Sequence, residues 1–227
     1  VPLDFMLSQE EIIDFINHSG AKVLFAHFRK GINLSQVKKQ CPLLRKVIVW
    51  SKKTDSFLYW DDMIREYEHN DFFSQIDNND LAVILYTSGS TGHPKGVMLT
   101  FGDLDNPLKT IDYCLEISKD DVLLCPGVPF SHIGGLDYIL LMLHASSSLV
   151  LMERFQPYKF LKNIQEYRAT LFWIVPAMYV AILSLKESDK LNLSSLRHAV
   201  VFGAPSSPVL LRRFHKMCPN AYLLNGW

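Results

Sequence analysis

The chain has 227 residues, 48% of them apolar and 20% charged, with 23 basic side chains set against 23 acidic ones. That length and apolar content suffice for one large domain or two small ones around a sizeable core. The charge balance argues against nucleic acid as the main partner, because binding phosphates at scale needs a basic excess.

In chain order, Ser8 and Glu11 stand at capping-box spacing, Ile12, Ile13 and Ile16 follow on one helical face, and Gly20 supplies a stop. Residues 21–27 and 45–50 read as buried strands. Residues 51–80 are polar with little strand signal and are expected to form a surface connection. Further strands are expected at 81–87, 121–125, 148–152, 171–175, 198–202 and 221–224. Helical patterns fall at 103–117, 136–145, 157–168, 176–187 and 208–218. Asp103 is the expected N-cap of the first of these; Ser207 followed by Pro208 opens the last. Strands that are apolar throughout, alternating with amphipathic helices, predict an α/β fold of mostly parallel β-sheets flanked by helices on both sides.

Two apolar stretches raise the question of a membrane. Residues 171–185 contain Pro176 and fall short of the roughly 20 residues that span a bilayer; residues 138–152 are broken by His144 and three serines. The chain opens without a basic signal-peptide region. Cys41, Cys114, Cys125 and Cys218 are far apart, form no CxxC pair, and read as reduced thiols of a cytoplasmic protein. Val1 in place of a methionine, and an ending within the apolar run 221–227, suggest a piece of a longer chain.

The densest chemical signal is residues 86–96, YTSGSTGHPKG. A P-loop requires G-x-x-x-x-G-K-[ST] and an immediate helix. Here Pro94 precedes Lys95, Gly96 follows it, and the next residues are the β-rich VMLT, so the element reads as strand, loop, strand. The physical logic of phosphate binding still holds: glycines let backbone N–H groups turn inward, Thr87, Ser88, Ser90 and Thr91 add neutral donors, and Lys95 adds a positive charge. The bland alternative is a Gly/Ser hairpin turn with an exposed lysine.

The ordered string resembles the signature phosphate loop of the adenylate-forming superfamily, which includes acyl- and aryl-CoA ligases, luciferases and peptide-synthetase adenylation domains. Three other segments resemble the family in the same order: PFSHIGGL (129–136), LRHAVVFGAPSSPVLLRRF (196–214) and LLNGW (223–227), as does the opening VPLDFMLSQEEI. The resemblance implies that residues 1–227 are part of the large N-terminal AMP-binding domain. Residues 1–80 would belong to one α/β subdomain, and 81–227 would carry the phosphate loop and a second. By the same resemblance, a small C-terminal domain would lie beyond this chain.

By the same resemblance, Thr87, Ser88, Gly89, Ser90, Thr91 and Gly92, with Lys95, would hold the β- and γ-phosphates of ATP. Gly203, Ala204 and Pro205 would line the adenine site beside Asn225 and Gly226, and Trp227 would stack on the purine. His132 would orient the substrate carboxylate, and Ile133, Gly134 and Gly135 would border the acyl pocket, the glycines leaving room for a long aliphatic acid. Ordinary explanations compete at each place: a strand-to-helix turn at Gly203, core packing at Trp227, a hydrogen-bonded structural histidine at His132.

One departure is visible. Most members of the family read His-x-Asn-Leu where this chain has Phe101-Gly102-Asp103-Leu104, and Phe101 cannot hydrogen-bond as histidine would. The glutamate that helps bind Mg²⁺, the ribose-binding aspartate and the catalytic C-terminal lysine of relatives all fall after Trp227. The implied activity is ATP-dependent activation of a fatty acid to acyl-adenylate, then transfer to coenzyme A, with Mg²⁺ accompanying ATP. Loading of a carrier protein, or a non-catalytic nucleotide- or acyl-binding module, are the alternatives. Peripheral membrane contact is compatible with the apolar content.

Overall fold

The computed structural model of the protein describes residues 1–66, 75–87, 94–186 and 191–226. They form two compact units, Val1–Asp103 and Leu104–Trp227.

The first unit opens with α1 (Gln9–Ser19). Its capping box is formed as the sequence predicts: Ser8 Oγ accepts the Glu11 N–H at 3.2 Å, and the Glu11 carboxylate accepts the Ser8 N–H at 2.7 Å. Gly20 ends the helix at φ 65°, the left-handed conformation a glycine adopts without Cβ strain. Then come β1 (Val23–Ala26), α2 (Leu34–Gln40), β2 (Lys46–Val49), β3 (Leu58–Tyr59) and α3 (Trp60–Glu66), with the strands in the parallel order β1-β2-β3. Thus 51–66 is more than a surface connection: Leu58 and Tyr59 extend the sheet beside Ile48 and Val49. Two residues are too short a run to register as a strand in sequence.

The hairpin of β4 (Leu81–Thr87) and β5 (Lys95–Thr100) is antiparallel, with Thr87 opposite Lys95. Tyr86 ties it to α1. The ring stacks on Phe15 with centroids 4.0 Å apart, and the hydroxyl donates to the Phe15 carbonyl at 3.3 Å and lies 2.8 Å from His18 Nδ1. The hairpin therefore groups with the first unit, whereas the sequence reading placed a boundary near residue 80.

The second unit contains most of α4 (Phe101–Leu115), then β6 (Val122–Cys125), α5 (Ile133–Ala145), β7 (Ser148–Leu151), α6 (Pro157–Tyr167), β8 (Leu171–Ile174), α7 (Pro176–Leu183), β9 (His198–Val201), α8 (Pro208–Met217) and β10 (Tyr222–Asn225). The expected cap of α4 is corrected. Thr100 is the cap: its Oγ1 accepts the Asp103 N–H at 3.1 Å, and the Asp103 carboxylate accepts the Thr100 N–H at 2.9 Å. Asp103 is thus the reciprocal acid of a capping box, and the helix starts two residues earlier than expected.

The five strands form one parallel sheet in the order β10-β9-β8-β6-β7. Alternate residues point to opposite faces, and each face has its own core. Leu123, Cys125, Leu171 and Trp173 pack with Leu108 and Leu115 of α4 and Tyr138 and Leu141 of α5. Leu124, Phe172, Ile174, Ala199 and Val201 pack on the other side with residues of α6, α7 and α8. This double covering explains the continuously apolar strands.

Candidate active site

The chain leaves β6 for β7 on one side, then returns through α6 to place β8 on the other side of β6. That reversal is the topological switch point of an open α/β sheet, where the loops at the strands' carboxyl ends part and leave a crevice for a ligand. β6 and β8 share only the Leu123–Leu171 pair in register. Beyond it Tyr138 of α5 takes the place of a strand: its hydroxyl donates to the Trp173 carbonyl at 2.7 Å and accepts the Trp173 N–H at 2.8 Å. The two rings stack with centroids 3.6 Å apart, and Trp173 Nε1–H donates to the Gly134 carbonyl at 2.8 Å.

The predicted residues of the β6–α5 segment gather here. His132 caps α5, with Nδ1 accepting the Gly134 N–H at 3.1 Å, so neutral His132 carries its proton on Nε2. Ile133 is 39% exposed at the start of the helix. Gly134 and Gly135, both buried, do different things. A Cβ at Gly134 would lie 2.9 Å from the Phe202 ring, whereas one at Gly135 would lie 2.2 Å from the Pro129 carbonyl oxygen. Gly134 therefore leaves space beside an aromatic side chain. Gly135 instead lets α5 press against the backbone of its own incoming loop, which corrects the idea that both glycines open the pocket.

Between the sheet and the α4–α5 face lies a cavity of about 240 Å³, walled by Gly134, Leu141, Trp173, Val200, Phe202 and Gly226 among others. Among the described residues the wall holds one ionisable side chain, Asp137, and burial pushes its carboxyl up to about 6. The motif 129–136 stops one residue short of Asp137. The available signal was the one acid of the helix IGGLDYILLMLHA, set among mainly apolar residues.

The β9–α8 loop carries Gly203, Ala204 and Pro205. Gly203 takes φ 78°, a left-handed turn in which a Cβ would also press within 3.3 Å of Val175. At the end of β10, Asn225 stands in register with Val201, and the Gly226 N–H donates to the Val201 carbonyl at 2.8 Å. His132, Gly134, Phe202, Gly203 and Gly226 thus share the carboxyl-end rim of one sheet. Thr87 and Lys95 face each other in the hairpin of the first unit, both exposed. Ser88, Gly89, Ser90, Thr91, Gly92 and Trp227 lie outside the described residues.

All four cysteines are free thiols. Burial pushes Cys218 up to about 12 and also raises Cys41 and Cys125, which makes these three poor nucleophiles at neutral pH. Among the described residues no three His, Cys, Asp or Glu side chains are grouped to hold a metal ion, and no helix is long and apolar enough to cross a membrane.

The model of the AMP-binding enzyme family matches residues 1–227. The 4-coumarate-CoA ligase 1 of Narcissus pseudonarcissus is 32% identical over 191 residues, covering 74% of this chain and 34% of the relative. The luciferase-like enzyme of the mealworm Zophobas morio superposes with a TM-score of 0.85 at 22% identity, over 99% of this chain and 52% of its own. ATP-bound MatB from Rhodopseudomonas palustris gives a TM-score of 0.82 at 25% identity, over 100% of this chain and 44% of its own. The chain spans about a third of the length of the first curated relatives it matches.

Proposed function

From the premise that this chain belongs to the AMP-binding enzyme family, we infer that the full-length protein is an acid–thiol ligase that activates a carboxylic acid with ATP and passes it to coenzyme A. The carboxylate oxygen attacks the α-phosphorus and the bond to the β-phosphate breaks, giving acyl-adenylate and pyrophosphate. The thiol sulfur then attacks the acyl carbon, AMP leaves, and the thiol proton is lost to solvent. No protein nucleophile is needed, and the raised cysteine thiols suit that chemistry.

One observation carries this reading: the strand-end motifs that resemble the family converge around a single apolar cavity at the switch point of a parallel sheet. The left-handed Gly203 loop, with its small and cyclic neighbours Ala204 and Pro205, suits a flat purine edge. Lys95, with the adjoining phosphate loop, would neutralise the leaving pyrophosphate. His132 would orient the carboxylate through Nε2–H while Nδ1 stays committed to the helix cap. Mg²⁺ would arrive with ATP and offset phosphate charge; among the described residues it has no protein cage.

The cavity's hydrocarbon walls favour an acid with an apolar body, and the fatty acid expected from the sequence is one such. An aryl acid is the second reading, favoured by the 4-coumarate ligases among the relatives and by the aromatic faces of Trp173 and Phe202. The test is carboxylate-dependent ATP–pyrophosphate exchange on the full-length protein, with acids from acetate to palmitate and several aryl acids. Exchange with at least one acid, reduced about 10²–10³-fold in Lys95→Ala, is the expected result. No exchange with any acid from folded protein and Mg·ATP would replace the ligase by a binding module.

A further inference from the structure

The first turn of α5 is weakly specified by its own residues. It opens Ile133, Gly134, Gly135 and carries no acid to answer the free N–H groups of the helix start. Two successive glycines give the backbone more freedom to lose on folding than any other pair. His132 caps this turn through the hydrogen bond from the Gly134 N–H to Nδ1 at 3.1 Å. Any tilt of Gly134 therefore turns the imidazole with it.

An anchor for the turn comes from a distant part of the chain. Trp173 of β8, 39 residues further on, donates its Nε1–H to the Gly134 carbonyl at 2.8 Å. Gly134 is thus held on both sides, its carbonyl by the sheet and its N–H by the histidine. A buried indole N–H needs an acceptor, and the consequence lies in which one it has taken. The indole is itself fixed. Trp173 is buried, its ring stacks on Tyr138 with centroids 3.6 Å apart, and its backbone N–H and carbonyl both bond the Tyr138 hydroxyl. A group locked in this way can hold its partner to the small tolerance that a reacting centre demands.

We propose that Trp173 is a positioning residue for His132: its indole N–H fixes the glycine turn and so sets the direction and tautomer of the imidazole. The proposal rests on the reading of His132 as the group that orients the substrate carboxylate. With Nδ1 committed to the cap, Nε2 carries the proton and faces one way. A loosened turn lets the ring leave the cap and exchange tautomers, and the N–H is then misaimed for part of the time. Trp173 acts through Gly134 and needs no contact of its own with the reacting atoms.

The experiment uses the full-length protein, with Trp173→Phe, His132→Ala and the double variant. Phenylalanine keeps an aromatic face for Tyr138 and removes the N–H. Site-specific replacement of Trp173 by benzothienylalanine, which keeps the bicyclic shape with sulfur in place of N–H, serves as the second variant and decides the matter if the Phe form does not fold. In pyrophosphate exchange, kcat is expected to fall about 10-fold in either form with KM for ATP unchanged, since small misplacements of a catalytic group are costly. In the His132→Ala background the same change is expected to have no further effect, because the two residues act as one unit. The ring ¹⁵N resonances of His132, assigned by their loss in His132→Ala, give a readout independent of turnover. They are expected to show one tautomer in the parent and to move toward the average of two in both Trp173 variants. An unchanged kcat, a loss that adds in full to that of His132→Ala, or unmoved ring resonances would each overturn the assignment while leaving the ligase standing. If the parent exchanges with no acid at all, the ligase reading falls, and the ring resonances alone decide whether Trp173 sets the histidine.

Discussion

The hydroxyl of Tyr138 occupies the position a neighbouring strand would take beside Trp173, accepting its N–H at 2.8 Å and donating to its carbonyl at 2.7 Å. β8 thereby keeps both buried backbone groups satisfied where β6 has turned away, and the crevice needed for a ligand opens without orphaned hydrogen bonds. Tyr138 is fully buried, and burial holds its phenol well above the usual range, so it serves as a neutral clamp.

Tyr138→Phe keeps the ring stack and removes the clamp. Two backbone groups of Trp173 lose their partner in a dry site. The expected loss is about 2–4 kcal/mol of unfolding free energy, read from urea or guanidinium titration with the m-value unchanged.

The two adjacent glycines of α5 are expected to respond differently. Gly135→Ala drives a Cβ into backbone that cannot swing aside, 2.2 Å from the Pro129 oxygen, and should cost more than about 3 kcal/mol or prevent folding. Gly134→Ala meets the edge of the Phe202 ring, which can rotate; the expected cost is about 1 kcal/mol, with kcat/KM falling most for the bulkiest acids. Soluble expression, thermal melts and exchange kinetics on the pair check both statements.

His132 has two separable tasks. As a cap it accepts the Gly134 N–H, and asparagine can do the same, so His132→Ala is expected to lose about 1 kcal/mol and His132→Asn much less. As a group that orients the carboxylate it has no substitute in either variant, so exchange should fall to a similar degree in both. Activity retained in His132→Asn would reduce the residue to its cap.

For Asp137 the sign of the pH effect follows from a folded value of about 6 against an ordinary 3.8. Below the lower value the carboxyl is protonated in both folded and unfolded chains and costs nothing. As pH rises toward 6 the unfolded chain ionises first, so stability is lost across that interval and the full penalty stands above it. Asp137→Asn should therefore stabilise the protein above pH 6 by roughly 1–2 kcal/mol, a figure discounted for the side chain's partial exposure, and by nothing below 3.8. Denaturation midpoints of both proteins from pH 3.5 to pH 8 measure the crossover, a range taken at about two units above and just below the two values.

Much of the fold was legible along the chain because its determinants are local. Ser8 and Glu11 announced α1, Ser207-Pro208 announced α8, and the run 81–87 matched β4 at both ends, since capping and hydrophobic periodicity act within a few residues. The motifs carried the family for a similar reason: a phosphate loop is defined by consecutive residues, here Thr87 through to Lys95. Local signals also misled. Thr100 and Asp103 both have capping side chains, and only the hydrogen bonds between them show which is the cap and which its reciprocal acid. The sheet order, the splaying of β6 from β8, the insertion of Tyr138 between them and the isolation of Asp137 in the cavity were decided by tertiary structure. Each depends on which groups from distant parts of the chain meet in the same space, and the desolvation that raises the Asp137 carboxyl exists only once they do.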